Sequence, residues 1–145
     1  MIVLDSSFLC AWYNDRDVHH AAAREVMGRF LAGDWGRGLL VEYVFAEVVT
    51  VLLARRGRES ALDSAHHLLA ARELELVTCS DLFVDILETF RNQPGRSLSF
   101  ADAAIVTVAR SCQATIATFD RGFHAIAGLS VVPAVSDVHE NPAPP

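Results

Sequence analysis

The chain contains no lysine: all 12 of its basic residues are arginine. That excludes a Walker-type phosphate loop, whose lysine reaches the β- and γ-phosphates, and weakens other phosphate-handling folds that set a lysine beside a strand-end aspartate. Positive charge is also scarce overall, because 18 acids leave a net charge of −6. A protein so charged does not hold nucleic acid by broad phosphate neutralisation, although a local patch stays open to it. Cysteine is sparse and odd in number. Cys10, Cys79 and Cys112 include no Cys-x-x-Cys pair, so neither a disulfide framework nor a structural zinc site is indicated, and the three read as small core residues. Long apolar runs are missing as well. Stretches such as Val48 to Ala54 fall far short of the roughly 20 residues a membrane span needs. The opening Met-Ile-Val-Leu-Asp has no basic n-region of a secretory signal, and a cytoplasmic location is the expectation. Proline is rare until the end, where four of the five fall between 133 and 145. Residues 1–133 are therefore expected to form one domain and 134–145 an extended, flexible tail.

What is present is a hydrophobic content of 52% in 145 residues, enough for one compact core. Apolar strand-like runs alternate with helical patterns. Ile2 to Leu4 reads as a buried strand, and Phe8 to Trp12 as the start of a helix. Asp17 is placed to cap a helix from Val18 to Leu31, which Gly33 ends. Leu39 to Val41 is a second buried strand. Helices follow over Val44 to Ala54 and Glu59 to Arg72, separated by Arg55, Arg56, Gly57 and Arg58. Leu74, Leu76 and Val77 alternate with polar residues, as in a strand nearer a sheet edge. Ser80 is expected to cap a helix from Asp81 to Phe90, and Pro94-Gly95 breaks the chain. Ser99 is a plausible N-cap for a helix from Phe100 to Cys112, and Ala114 to Thr118 is a short β-branched strand. A brief helix around Phe123 and a last strand at Val131-Val132 close the domain. The alternation implies a three-layer α/β/α fold with a mainly parallel central sheet.

In such sheets, sites lie beyond the carboxyl ends of the strands. Asp5 leaves the first strand there, Glu47 sits in the first turns of the helix after the second, and Asp120 follows a later strand. Asp102 opens the helix leading into that strand. Helix and strand each span roughly 16 to 20 Å, so Asp120 returns to the edge where Asp102 began. One strand-end aspartate is ordinarily a turn or cap residue. Four acids at one edge, in a chain without lysine, suit a hard divalent cation such as Mg²⁺ or Mn²⁺. His19 and His20, adjacent on a helix, point in different directions and do not form a shared ligand pair. Arg55, Arg56 and Arg58 read first as a solvated helix end that favours the dipole.

Asp5-Ser6-Ser7, Glu47 within Glu-Val-Val-Thr-Val-Leu, Ser-Phe-Ala-Asp102-Ala-Ala-Ile and Ala-Thr-Phe-Asp120-Arg-Gly-Phe resemble, in order, the four acidic motifs of PIN domains. The layout is similar to that of VapC-type toxins of type II toxin-antitoxin systems. The resemblance covers about residues 1–133. It implies a PIN-like fold and a Mg²⁺-dependent endoribonuclease, Mn²⁺ substituting, that cuts RNA in single-stranded loops. It further implies a homodimer and a small antitoxin partner whose segment fills the acidic groove. By the same resemblance Asp5, Asp102 and Asp120 would hold metal, Glu47 would bind metal or orient water, and Ser6 and Thr118 would brace the ligands. Arg121, Arg55 and Arg56 are candidates for RNA phosphate contact. Two positions depart from the family. Ser7 stands where asparagine is frequent, and Gly122 where some members carry an acid, which weighs against a second tightly held metal. The alternative is a non-catalytic PIN-like domain whose acidic groove docks a basic partner peptide. A metal-dependent phosphatase of another α/β fold is disfavoured, because Asp5-Ser6-Ser7 lacks a second aspartate.

Overall fold

The computed structural model describes residues 1–92 and 98–134. The Pro94-Gly95 break and the tail from residue 135 lie outside the described residues. Among the described residues the order is β1 (Ile2–Leu4), α1 (Ser6–Tyr13), α2 (His20–Leu31), β2 (Gly38–Val41), α3 (Glu42–Ala70), β3 (Leu74–Val77), α4 (Phe83–Arg91), α5 (Phe100–Cys112), β4 (Thr115–Ala117), α6 (Arg121–His124) and β5 (Ser130–Val132).

The strands form one sheet in the order β3-β2-β1-β4-β5, and every pairing is parallel. Central strands are buried on both faces, which is why their sequences are continuous apolar runs rather than alternations. Ile2, Val3 and Leu4 are completely buried, each contributing roughly 1.5–3 kcal/mol. β3 lies at the sheet edge as expected, but Leu76, on the apolar side of the alternation, is exposed along with Glu75, because an edge strand is covered less completely. The chain moves outward from β1 through β2 to β3, then returns to place β4 on the other side of β1. The topological switch point is therefore the crevice between β1 and β4, where this architecture puts its ligands. In register, Leu4 faces Ala117, and the Asp5 amide donates to the Ala117 carbonyl at 3.0 Å. Asp5 and Thr118 are thus neighbours at the carboxyl end of the crevice.

Several boundaries differ from those expected. α2 begins at His20, because Asp17 caps a turn instead: its Oδ1 accepts from the His19 amide at 2.9 Å and its carbonyl from the His20 amide at 3.0 Å. α4 begins at Phe83, after a turn in which the Leu82 amide donates to the Cys79 carbonyl at 3.1 Å. Ser80 is not its cap. The two helices expected on either side of Gly57 follow one another within α3, where Gly57 alone leaves helical geometry at φ 84° and ψ 174°. β2 starts one residue early, at Gly38. A Cβ there would lie 2.6 Å from both Leu74 Cδ2 and Phe30 Cζ, so any larger residue would have to displace those two side chains.

Candidate active site

Asp5 is the N-cap of α1, only 3% exposed, at the strand-to-helix turn that β1 delivers. Burying a carboxylate is expensive unless it is hydrogen-bonded, and this one is held from three sides. Its Oδ1 accepts the Ser6 amide at 2.7 Å, and its Oδ2 accepts the Ser7 and Thr118 hydroxyls, each at 2.6 Å. Those two hydroxyls also tie down the other wall of the crevice. Ser7 Oγ accepts the Phe119 amide at 3.0 Å, and Thr118 Oγ1 accepts the Asp120 amide at 2.9 Å. The turn after β1 and the turn after β4 are one hydrogen-bonded unit.

The remaining acids arrive from separate elements. Asp102 is the third residue of α5 and closes a capping box, its Oδ2 accepting the Ser99 amide at 2.8 Å while Ser99 Oγ accepts its own amide at 3.1 Å. Glu47 lies on the exposed side of α3. Asp120 caps α6, with Oδ1 accepting the Gly122 amide at 2.7 Å. A Cβ at residue 122 would sit 3.1 Å from that same oxygen, so the glycine that replaces an acid here lets the backbone close on Asp120.

The Asp102 charge reaches Asp5, and the charges of both reach Glu47. Burial pushes the Asp5 carboxyl above its ordinary pKa, the Ser7 and Thr118 hydroxyls pull it down, and the Asp102 charge raises it again. Glu47 is also raised, first by desolvation, with the Ser6 hydroxyl lowering it and the Asp5 and Asp102 charges adding to the rise. No cation among the described residues contributes to either shift. Asp120 stands at the same edge but is joined to Asp5 through Thr118 rather than through its own carboxylate. Among the described residues no three His, Cys, Asp or Glu side chains close up as a preformed cage. The donor set still suits a hard ion that retains waters and takes only one or two carboxylates directly. Asp102 and Asp120 each commit one oxygen to a helix cap.

Ser7 is the residue that sequence reading undervalued. Ser6, expected to brace ligands, gives its amide to Asp5 Oδ1 at 2.7 Å, while its hydroxyl stands 3.4 Å from that oxygen and bonds Glu47. The signal was an aspartate followed at the second position by a hydroxyl, which allows a local side-chain turn. Glu42 was also missed. Its Oε1 accepts the Cys79 amide at 2.6 Å and fixes the loop after β3 to the start of α3. The arginines divide. Arg121 opens α6 directly beside Asp120. Burial pushes the Cys10 thiol up to about 11 even though Arg55, exposed on α3, pulls it down. Arg56 donates to the Tyr13 carbonyl at the end of α1, so its guanidinium serves the fold. His19 stacks on Phe119 with centroids 4.4 Å apart, whereas His20 Nδ1 pairs with the Ala11 carbonyl at 2.8 Å, and the two do diverge.

A family model for the PIN domain matches residues 2–129. The chain belongs to the PIN-domain family. No curated protein matches it in sequence. Among solved structures, this PIN domain is similar to VapC20 of Mycobacterium tuberculosis, a sarcin-ricin loop cleaving toxin. The two are 27% identical, with a TM-score of 0.76 over 89% of this chain and 96% of that one. VapBC2 from Rickettsia felis, solved with a DNA fragment from its promoter, is 18% identical with a TM-score of 0.68, covering 90% of this chain and 97% of that one. A toxin-antitoxin complex from Klebsiella pneumoniae gives 15% and 0.59, covering 92% and 97%. The last two share the fold. The likeness to VapC-type toxins that the acidic motifs implied is thereby borne out.

Proposed function

We propose that this PIN domain is a divalent-metal-dependent endoribonuclease, the toxin of a toxin-antitoxin pair. The observation that carries the reading is the buried Asp5 at the strand-end turn of the switch point, on which the Asp102 charge acts, while both act on Glu47 from a third element. Structure alone gives such a cluster no stability, because like charges gathered in a partly buried site repel.

Asp5, Asp102 and Asp120 are the residues that would hold Mg²⁺ or Mn²⁺, with Glu47 beside them. When bound, the ion supplies a water of lowered pKa and offsets negative charge developing on the phosphodiester. The protein's own part is positioning and proton handling. Asp5 is fixed by three donors, and Asp102 by its capping box, so neither must reorganise when substrate arrives. Glu47, exposed and shifted toward protonation, is suited to orient the attacking water and take its proton. Arg121, adjacent to Asp120, is the best placed of the three arginines to meet a phosphate, and Arg55 is second.

The substrate is RNA cut in a single-stranded loop, and the sarcin-ricin loop named for VapC20 is the first to try. An antitoxin segment that fills the acidic groove is the proposed inhibitor, by likeness to the two complexes. A homodimer is proposed on an apolar stripe of α4, where Phe83, Leu87 and Phe90 remain substantially exposed. The test is cleavage of ribosomal RNA fragments by purified protein in Mg²⁺ or Mn²⁺. Cleavage is expected to stop with EDTA and to fall at least about a hundredfold in Asp102→Asn, whose amide still serves the helix cap. Undiminished cleavage by a folded Asp102→Asn protein refutes the assignment. An RNA-inert wild type that still binds a basic peptide favours the non-catalytic docking domain.

A further inference from the structure

Asp5 holds its two oxygens in unlike states, and the bookkeeping of protons shows why. Ser7 Oγ and Thr118 Oγ1 each have one proton and two lone pairs. Each already accepts a backbone amide, from Phe119 at 3.0 Å and from Asp120 at 2.9 Å. Each therefore directs its proton at the nearest remaining acceptor, and for both that is Asp5 Oδ2 at 2.6 Å. The two hydroxyl oxygens lie 3.2 Å apart, but neither has a proton left for the other. Both in-plane lone pairs of Oδ2 are consumed. Oδ1 accepts only one short bond, from the Ser6 amide at 2.7 Å, since the Ser6 hydroxyl is at 3.4 Å. Asp5 is left with one open coordination direction, on Oδ1.

We infer that Ser7 and Thr118 select the cation: by occupying Asp5 Oδ2 they restrict the carboxylate to one-oxygen coordination and so favour Mg²⁺ over Ca²⁺. The inference rests on the divalent-metal reading of the site. Ca²⁺ takes six to eight oxygens at longer distances and readily uses a carboxylate through both oxygens, whereas Mg²⁺ requires a compact octahedron and is bound through single carboxylate oxygens and water. A carboxylate that can never offer its second oxygen therefore costs Ca²⁺ a ligand and Mg²⁺ nothing. Both hydroxyls act through Asp5 and are positioning residues. The same two groups bind the backbone of Phe119 and Asp120, so the selecting device also sets the far wall of the crevice.

Calorimetric titration of RNA-free protein with Mg²⁺ and with Ca²⁺ tests this without any turnover. In Ser7→Ala and in Thr118→Val the Mg²⁺-to-Ca²⁺ affinity ratio is expected to fall about tenfold, in line with the effect of removing an outer partner of a metal ligand. Ser7→Thr and Thr118→Ser keep the hydroxyls and are expected to keep the wild-type ratio. Circular dichroism establishes that each variant is folded, and the two sites are independent tests should one of them fail to fold. A ratio unchanged in the folded alanine or valine variant overturns the inference while leaving the nuclease reading standing. A wild type that binds neither ion overturns both.

Discussion

Asp5 and Glu47 carry their charges at a loss in the metal-free protein, and the direction of that loss is measurable. Both carboxyls are raised above their ordinary pKa, chiefly by desolvation, with Asp102 adding to each. A group raised in the folded state binds more protons there than in the unfolded chain. Its contribution is full below the unfolded pKa and is lost as pH rises through the folded one. The window opens at the ordinary carboxylate range and extends upward. A bound cation reverses the loss, because it favours the ionised forms. Mn²⁺ at a hundred times its dissociation constant is expected to add about 2.7 kcal/mol, or about 5–10 °C in melting temperature for a chain of this size. At one fixed Mn²⁺ concentration the increment is expected to be clearly larger near pH 7.5 than near pH 5, because protons compete with the ion for carboxyls whose pKa is raised. Equal increments in thermal melts at the two pH values would show that these carboxylates do not hold the ion. The places of Asp5, Asp102 and Asp120 at strand ends and helix starts were legible in the sequence, because those boundaries determine where an edge residue falls. The proton traffic of Ser7 and Thr118 was not, since it depends on two turns 111 residues apart meeting across β1 and β4.

Among the elements, those whose ends are set by their own residues could be read and those set by partners could not. α5 runs from Phe100 to Cys112 as expected, because Ser99 supplies a local cap and the apolar stripe is continuous. α4 starts two residues later than Ser80 and Asp81 suggest. The Cys79 amide is held by Glu42 of α3, and that remote contact turns the chain once before the helix begins. α3 contains its own break. Gly57 at φ 84° and ψ 174° occupies backbone space that is essentially reserved for glycine, and no atom lies within 4 Å of where a Cβ would stand. Gly57→Ala therefore meets no clash, and its whole cost is backbone strain of about 1–3 kcal/mol. Urea unfolding is expected to show that loss. A variant as stable as the wild type would mean that α3 straightens through this point, carrying away the Arg56 contact to Tyr13.

At the scale of the whole molecule, α4 exposes a cluster of large apolar side chains. α4 buries Ile86, but Phe83, Leu87 and Phe90, spaced along one face, remain 49%, 39% and 41% exposed. Phe83 and Phe90 lie 5.5 and 5.6 Å by ring centroid from Phe100, the first residue of the helix that carries Asp102. The proposed homodimer would form on this apolar stripe. α4 has Asp85 in its first turn and Arg91 in its last. Two copies packed antiparallel about a two-fold axis would set acid against base at both ends and phenylalanine against phenylalanine between them. Leu87, at the middle of the stripe, lies nearest the axis in that arrangement. Leu87→Arg places two like charges there and is expected to convert a dimer into a folded monomer, read by sedimentation velocity at micromolar protein. The variant removes no buried core residue, so its melting temperature in dilute solution should follow dissociation only. A Leu87→Arg protein that sediments as the wild type does would remove α4 from the interface, whatever the oligomeric state proves to be.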